Sequence, residues 1–454
     1  MPTTPFLDVP DVPRYALRNA TVPACVTTLD QGTSCASDAE ALLNVDLLIN
    51  DDRITAIVPA GQLPVELGPD LDRSMVLPGL LDCHTHLDKG HIWPRMPNPR
   101  GDIAGASHAT GVDRVAHWHA EDVKRRMAFG LMTAYAQGVV AIRTHLDSLA
   151  PQAGISFAVF EELRAQWAGR IEMQASSIAP LDIFLTDEGL ELADIVAKTG
   201  GQLGCVTRFR QIPNVPLPPE FDVAMRRVFT LAAERGLDID LHVDESSDPA
   251  VRTLIRVAQL ASEVRFAGRI LCGHCSSLAL QSDEVIEATL DACFEAGIDI
   301  VSLPTVNMYL QDRTDEGAPR RTPRWRGVTL VHEMKARGLR VAVAGDNCRD
   351  PFYAWGDHDM LDTFTQAVRI LQLDHPIGDW FTAASTIPAA IMKLPDKGVL
   401  RAGVAADVIV TRARNYSELL ARHQADRVVI RQGRAIDTRL PDHRMLDDLM
   451  GTAK

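Results

Sequence analysis

The chain has 454 residues, 46% hydrophobic and 23% charged, with 46 basic against 60 acidic side chains and a net charge of −14. That length permits a well-buried core and more than one domain, and the acidic balance argues against nucleic acid or an anionic membrane surface as partner. No apolar run approaches the roughly 20 residues a membrane span needs. The first residues show no basic segment followed by an apolar one, and the 8 cysteines are scattered from Cys25 to Cys348, so a cytoplasmic protein with reduced thiols is expected.

In chain order, residues 1–75 read as short strands parted by turns: RYALRNATV, then VDLLINDDRITAIVPA, where Asp51-Asp52 between alternating apolar runs marks a hairpin. From 76 to 394, β-branched apolar runs alternate with Ala-rich amphipathic segments. The runs are MVLPGLLDCHTH, GVVAIRTHLD, RIEMQASSIA, QLGCVTRF, LDIDLHVDE, RILCGHCSS, IDIVSLPTV and LRVAVAGDN. Segments such as EDVKRRMAFGLMTAYAQ and PEFDVAMRRVFTLAAERG keep helical spacing and often end in glycine. This repeated alternation predicts an α/β chain folded as a (β/α)8 TIM barrel. After 395 strand-like pieces return (GVLRAGVAADVIVTR, RVVIRQGRAI). Residues 1–75 and 395–454 are therefore expected to build one small β-sandwich domain from both chain ends.

Histidines and carboxylates collect at the ends of these strands. His84 and His86 close the first; residues i and i+2 of a strand share a face, and the C-terminal rim is where barrel sites are built. Alone, this H-x-H reads equally as two solvated or core histidines. His242 and Glu245 end the fifth strand, His274 the sixth and Asp346 the eighth. Three imidazoles and a carboxylate, His84, His86, His242 and Asp346, suit one divalent ion, Zn²⁺ or Fe²⁺. Water bound at an open position of such an ion falls from a pKa of about 16 to roughly 7. Glu245, where strand turns to loop, is placed to carry protons. His274 is placed to polarise the group under attack or hold the hydroxide, and Asp346 to accept the water's proton.

The stretch LCGHCSSL contains Cys272-Gly273-His274-Cys275, a C-x-x-C that alone suggests thiol–disulfide chemistry or half a zinc site. A redox pair places its first thiol at a helix start, whereas Cys272 lies inside an apolar strand. No second C-x-x-C or H-x-x-H completes a zinc site. The expectation is two packing thiols around a working His274.

These motifs resemble the amidohydrolase superfamily, most of all its cytosine-deaminase branch. The residues concerned are His84-Thr-His86 inside VLPGLLDCHTHLD, His242-Val-Asp-Glu245, His274, and Gly345-Asp346-Asn347 followed by CRDP, with Arg143-Thr-His145 and the run VNMYLQDR from Val306 in support. The resemblance spans nearly the whole chain, GVLRAGVAADVIV included. It implies hydrolytic deamination of an amino-substituted nitrogen heterocycle at a mononuclear metal. His84, His86, His242 and Asp346 would be ligands, Glu245 the proton shuttle and His274 the sixth-strand histidine. Two-metal relatives bridge their ions through a fourth-strand lysine, which LGCVTRFRQI lacks.

The departures from the cytosine pattern surround the substrate. Pro180 stands where a glutamine reads the ring's amide edge, Asn347 where a second aspartate is usual, and Phe352 where a tryptophan is. The resemblance therefore implies a small heterocycle other than cytosine. Hydrolysis of an N-alkylamino heterocycle or a cyclic amide stands as the alternative, and a metal-free scaffold as the reading opposed to an enzyme. Lys89 and Trp93 sit in a Pro/Gly loop after the first strand that reads either as a lid over the pocket or as a plain connection, with Trp93 a candidate contact. In the charged insertion after the seventh strand, Gln311 and Arg313 read either as substrate contacts or as part of a solvated face. His145 and Asp147 read either as ligand-orienting groups or as a structural pair. His91 and His358 carry no pattern, and a homo-oligomer is left open.

Overall fold

The structure, a computed structural model, describes residues 6–210, 215–314 and 317–451. The chain divides into two compact units. One comprises Met1–Asp82, Met132–Ala141 and Asp359–Pro441; the other comprises Cys83–Leu131, Ile142–His358 and Asp442–Lys454. The strands, in order, are β1 (Arg14–Pro23), β2 (Leu42–Asn50), β3 (Arg53–Pro59), β4 (Val76–Pro78), β5 (Leu80–Thr85), β6 (Val139–Asp147), β7 (Glu172–Ile178) and β8 (Leu203–Val206). They continue with β9 (Ile239–Val243), β10 (Ile270–His274), β11 (Ile298–Ser302), β12 (Val341–Val343), β13 (Val408–Val410), β14 (Val428–Arg431) and β15 (Arg434–Ala435). No described helix is long and apolar enough to cross a membrane, and none of the 8 cysteines, all among the described residues, is in a disulfide.

In the first unit, β1, β2 and β3 form an antiparallel sheet. Asn50 pairs with Arg53 and Asp51 sits at φ 53°, so the hairpin expected at Asp51-Asp52 is present, with a left-handed residue making the tight turn. A second antiparallel sheet runs β15-β14-β13-β4. Both sheets feed one buried cluster that includes Leu17, Leu47, Ile57, Val76, Val408 and Ile430. Apolar residues at alternate strand positions supply it, as a half-buried pleat requires.

The run MVLPGLLDCHTH, expected as one strand, is two. Val76–Pro78 pairs antiparallel with β13, while Leu80–Thr85 joins β6 and β7. Pro78 has no N–H for a ladder. A Cβ on Gly79 would lie 2.2 Å from Val140 Cγ1, so the junction takes glycine. Residues 359–394, read from sequence with the central domain, cluster with the first unit, and Asp442–Lys454 with the second. Arg125 binds Asp448 at 2.6 Å and Arg95 donates to the Leu449 carbonyl at 3.1 Å, anchoring that terminal segment in the second unit.

In the second unit, β8 to β12 form a parallel sheet in the order β12-β11-β10-β9-β8. Its central strands IDLHV, ILCGH and IDIVS are buried along their whole length, as strands covered on both faces are. Helices Gln152–Gln166, Asp187–Thr199, Glu220–Arg235, Thr253–Val264 and Asp283–Glu295 alternate with β6 through β11. Gly200 and Gly236, both left-handed, close two of them. Parallel bridges Ser176↔Gln202 and Pro180↔Val206 connect β7 to β8, and Thr85↔Asp346 connects the ends of β5 and β12. At the last of these, His86 N–H donates to the Asp346 carbonyl at 3.1 Å and Asp346 N–H to the His84 carbonyl at 2.8 Å.

Candidate active site

Strand alternation and the Thr85↔Asp346 bridge decide where the first histidines go. His84 lies in β5 and His86 one residue beyond it, His242 lies in β9, and Asp346 follows β12 at φ 60°. His242 Nε2 stands 3.2 Å from both His84 Nε2 and His86 Nε2. Asp346 Oδ1 stands 3.1 Å from His86 Nε2 and 3.6 Å from His84 Nε2. Three imidazole nitrogens facing one another cannot be satisfied by one shared proton. Ligand atoms about 2.0–2.2 Å from a common centre and about 90–110° apart would lie roughly 2.8–3.6 Å from one another, so the donor set fits a divalent cation. Burial, before any neighbouring charge, holds all three imidazoles well below their ordinary range, which leaves each with a lone pair at neutral pH.

Behind these groups lies a buried polar chain. His145 Nε2 is 3.1 Å from His84 Nδ1 and 3.7 Å from Asp240 Oδ1. Arg143 contacts Asp240 Oδ2 at 3.2 Å and donates to Gln174 Oε1 at 3.1 and 2.8 Å. Burial pushes Asp240 up to about 6, against the pull of the Arg143 guanidinium. His145 thus orients His84 through its second nitrogen. Asp147 has other partners, Lys89 at 3.5 Å and Arg114 at 3.2 Å, so the two residues are not a pair. On the other side a Cβ on Gly273 would lie 2.9 Å from His84 Cε1.

Glu245 follows a residue that pins its loop. Asp244, at φ 49°, accepts from Thr253 N–H at 2.9 Å, Thr253 Oγ1 at 2.6 Å and Leu254 N–H at 3.0 Å, satisfying the open first turn of helix Thr253–Val264. Glu245 Oε1 lies 3.7 Å from His274 Nδ1. His274 ends β10 at φ 68° and pairs through Nδ1 with Asn307 Oδ1 at 2.9 Å. Its Nε2 is buried and has no hydrogen-bond partner. Cys272 and Cys275 are fully buried, and burial pushes both thiols well above their ordinary range. They are packing groups without thiolate character.

These side chains open onto a cavity of about 1100 Å³. Of the expected substrate contacts, Pro180, Gln311, Asn347 and Phe352 line it together with His86, His242, Glu245, His274 and Asp346. Trp93 does not join that lining: it is half-buried and packs, beside Phe352, against the apolar cluster of Val306, Tyr309, Leu310 and Ala354. Gln311 is buried with Nε2 unpartnered. Asn347 donates to Asp350 Oδ2 at 2.7 Å, and Asp350 Oδ1 accepts from the Phe352 and Tyr353 backbone at 2.8 and 3.1 Å. Burial lifts Asp350 to about 6. The loop residue Lys89 is buried in the wall with Nζ 4.9 Å from the Phe352 ring centre. Burial opposes its charge, but the Asp147, Asp88, Asp350 and Asp346 carboxylates outweigh this and hold the ammonium above its ordinary range.

Sequence reasoning missed Asn307, Asp350 and Asp240. Asn307 and Asp350 had a signal, since they lie in the VNMYLQDR and GDNCRDP runs; Asp240 carries no local pattern and gains its partners only through folding.

A family model described as the amidohydrolase family matches residues 193–437. Pterin deaminase from Rhizobium rhizogenes (strain K84 / ATCC BAA-868) is 47% identical over 98% of this chain and 99% of its own. N-isopropylammelide isopropyl amidohydrolase from Pseudomonas sp. (strain ADP) is 22% identical over 86% of this chain and 93% of its own. Among solved structures, 5-methylcytosine deaminase from Klebsiella pneumoniae liganded with phosphonocytosine superposes with a TM-score of 0.76 at 20% identity, covering 92% of this chain and 98% of that one. At such identity the likeness speaks for the fold.

Proposed function

The chain belongs to the amidohydrolase family, whose members hydrolyse carbon–nitrogen bonds, and from that premise we propose that it deaminates a pterin. A pterin is a flat bicyclic heterocycle bearing an exocyclic amine. The observation that carries the reading is the convergence of His84, His86, His242 and Asp346 at 3.1–3.6 Å beside Glu245 and an unpartnered His274 Nε2. Those four residues would hold one Zn²⁺ or Fe²⁺, which when bound supplies Lewis acidity that makes water nucleophilic at neutral pH.

The protein groups then do the rest. With Nδ1–H donated to Asn307, His274 Nε2 keeps its lone pair and accepts a hydrogen bond from the attacking water. Glu245 takes a proton from that water as its oxygen bonds to the ring carbon and passes it to the adjacent ring nitrogen, then carries the remaining hydroxyl proton to the exocyclic amine. The C–N bond breaks, ammonia leaves, and a ring carbonyl remains; water has supplied the oxygen and the protons. Gln311 Nε2 offers a donor to the ring's oxygen edge, while Phe352 and Pro180 give its faces apolar contact.

The same reading takes β5 to β12 as an eight-stranded (β/α)8 barrel, supported by the bridges from β7 to β8 and from β5 to β12. It takes the two antiparallel sheets as a sandwich, supported by their common cluster. The test is ammonia release from pterin by the purified, metal-loaded protein. Release of isopropylamine from N-isopropylammelide, with pterin inert, would replace deamination by N-dealkylation.

A further inference from the structure

We propose that His91, Cys348 and His358 form a second metal site, built for a thiophilic divalent ion such as Zn²⁺ and separate from the four catalytic ligands. One imidazole or thiol atom from each lies within 4.8 Å of the others, and all three residues are buried. Both ring nitrogens of His91 and Nε2 of His358 are enclosed without a hydrogen-bond partner. A folded protein seldom leaves three such atoms unmet. The His91 and His358 ring centres are 5.8 Å apart, close to the 5.6 Å between His84 and His86. Imidazole nitrogen with thiolate sulfur is a donor set that zinc favours.

The backbone is shaped to bring the rings together. His91 and His358 adopt φ 68° and 47°, values uncommon for side chains of this size. A Cβ on Gly130 would come within 2.9 Å of His358 Nε2, so the facing helix leaves room for that ring. His91 N–H donates to the Cys348 carbonyl at 2.9 Å and Trp93 N–H to the Arg349 carbonyl at 2.8 Å. An ion here would clip the loop that carries Lys89 to the loop that carries Asp346 and Asn347.

The experiment is metal analysis and absorption spectroscopy of the full chain, purified, loaded with excess Co²⁺ and desalted. The inference expects two cobalt ions per chain and a near-ultraviolet thiolate-to-cobalt band, because the catalytic ligands include no sulfur. Cys348→Ser should keep one ion and lose the band. One ion in the wild type, or two without the thiolate band, overturns the site, and neither result needs a variant that folds. Two ions and an intact band in Cys348→Ser overturns it as well.

Discussion

Replacing Asn307 by alanine tests the part of the site that no metal ligand shares. Asn307 Oδ1 is the partner of His274 Nδ1 at 2.9 Å, and both side chains are buried. Deleting the amide leaves an imidazole N–H with no acceptor in a dry wall and no longer sets which nitrogen carries the lone pair. An orphaned buried donor costs about 1–3 kcal/mol. At roughly 1.4 kcal/mol per tenfold in rate, a penalty expressed in the transition state lowers kcat about 5- to 150-fold. Steady-state ammonia release from pterin reads kcat and KM, and elemental analysis reads metal content, which should stay at the wild-type level. Asn307→Asp keeps an acceptor at the same position and should recover most of the loss. Wild-type kcat in Asn307→Ala, with metal retained, would refute the assignment of His274 Nε2 as the water-holding atom.

Glu245→Gln should bind metal normally yet lose about 10²- to 10⁴-fold in kcat, the usual worth of a positioned proton carrier; near-wild-type ammonia release would remove the shuttle role. His242→Ala takes away the nitrogen that lies 3.2 Å from both other imidazoles. It should leave the catalytic ion undetectable, and chelation of the wild type should abolish activity that Zn²⁺ or Fe²⁺ then restores. Asp88 is pushed up to about 7, by burial first and then by the Asp147 charge, against about 3.9 in an unfolded chain. The native state then holds the extra proton between about pH 4 and 7, so this contribution to stability is full at low pH and fades as pH rises through 7, at up to roughly 1.4 kcal/mol per unit. Asp88→Asn can still accept from Asp147 N–H and Ser156 Oγ and should flatten that slope in urea titrations between pH 4.5 and 6.5; an unchanged slope would assign it to another group.

Alternation made the cluster of histidines and carboxylates legible. His84 and His86 stand two apart, His242, His274 and Asp346 each fall at the end of an apolar run, and the loop residue Glu245 sits three past a histidine. What periodicity could not supply was pairing across the sheet. Nothing local in GVVAIRTHLD tells that His145 turns to His84 while Asp147 turns to Lys89. Asp240 and Asp350 read as ordinary acids until burial and their partners are seen. Trp93 was ambiguous because an aromatic in a loop beside a strand end suits a pocket wall and an apolar cluster equally well. The break at Pro78-Gly79 was written in the chain but outweighed by the continuous hydrophobic run around it. His91 and His358 gave no sign, since two loops far apart in sequence bring them together.

Gly273, the residue between Cys272 and His274, carries a consequence for protein engineering. Its missing side chain is the space that the His84 ring needs: a Cβ here would come within 2.9 Å of His84 Cε1, closer than packed carbons stand. A designer who grafts the histidines, aspartate and glutamate onto another scaffold, but keeps an alanine on the neighbouring strand, would tilt the first imidazole off its aim and lose the ion with it. The transferable unit is thus larger than its list of chemically active groups: it includes one deliberate vacancy, and a saturation library at position 273 selected for metal uptake should return glycine.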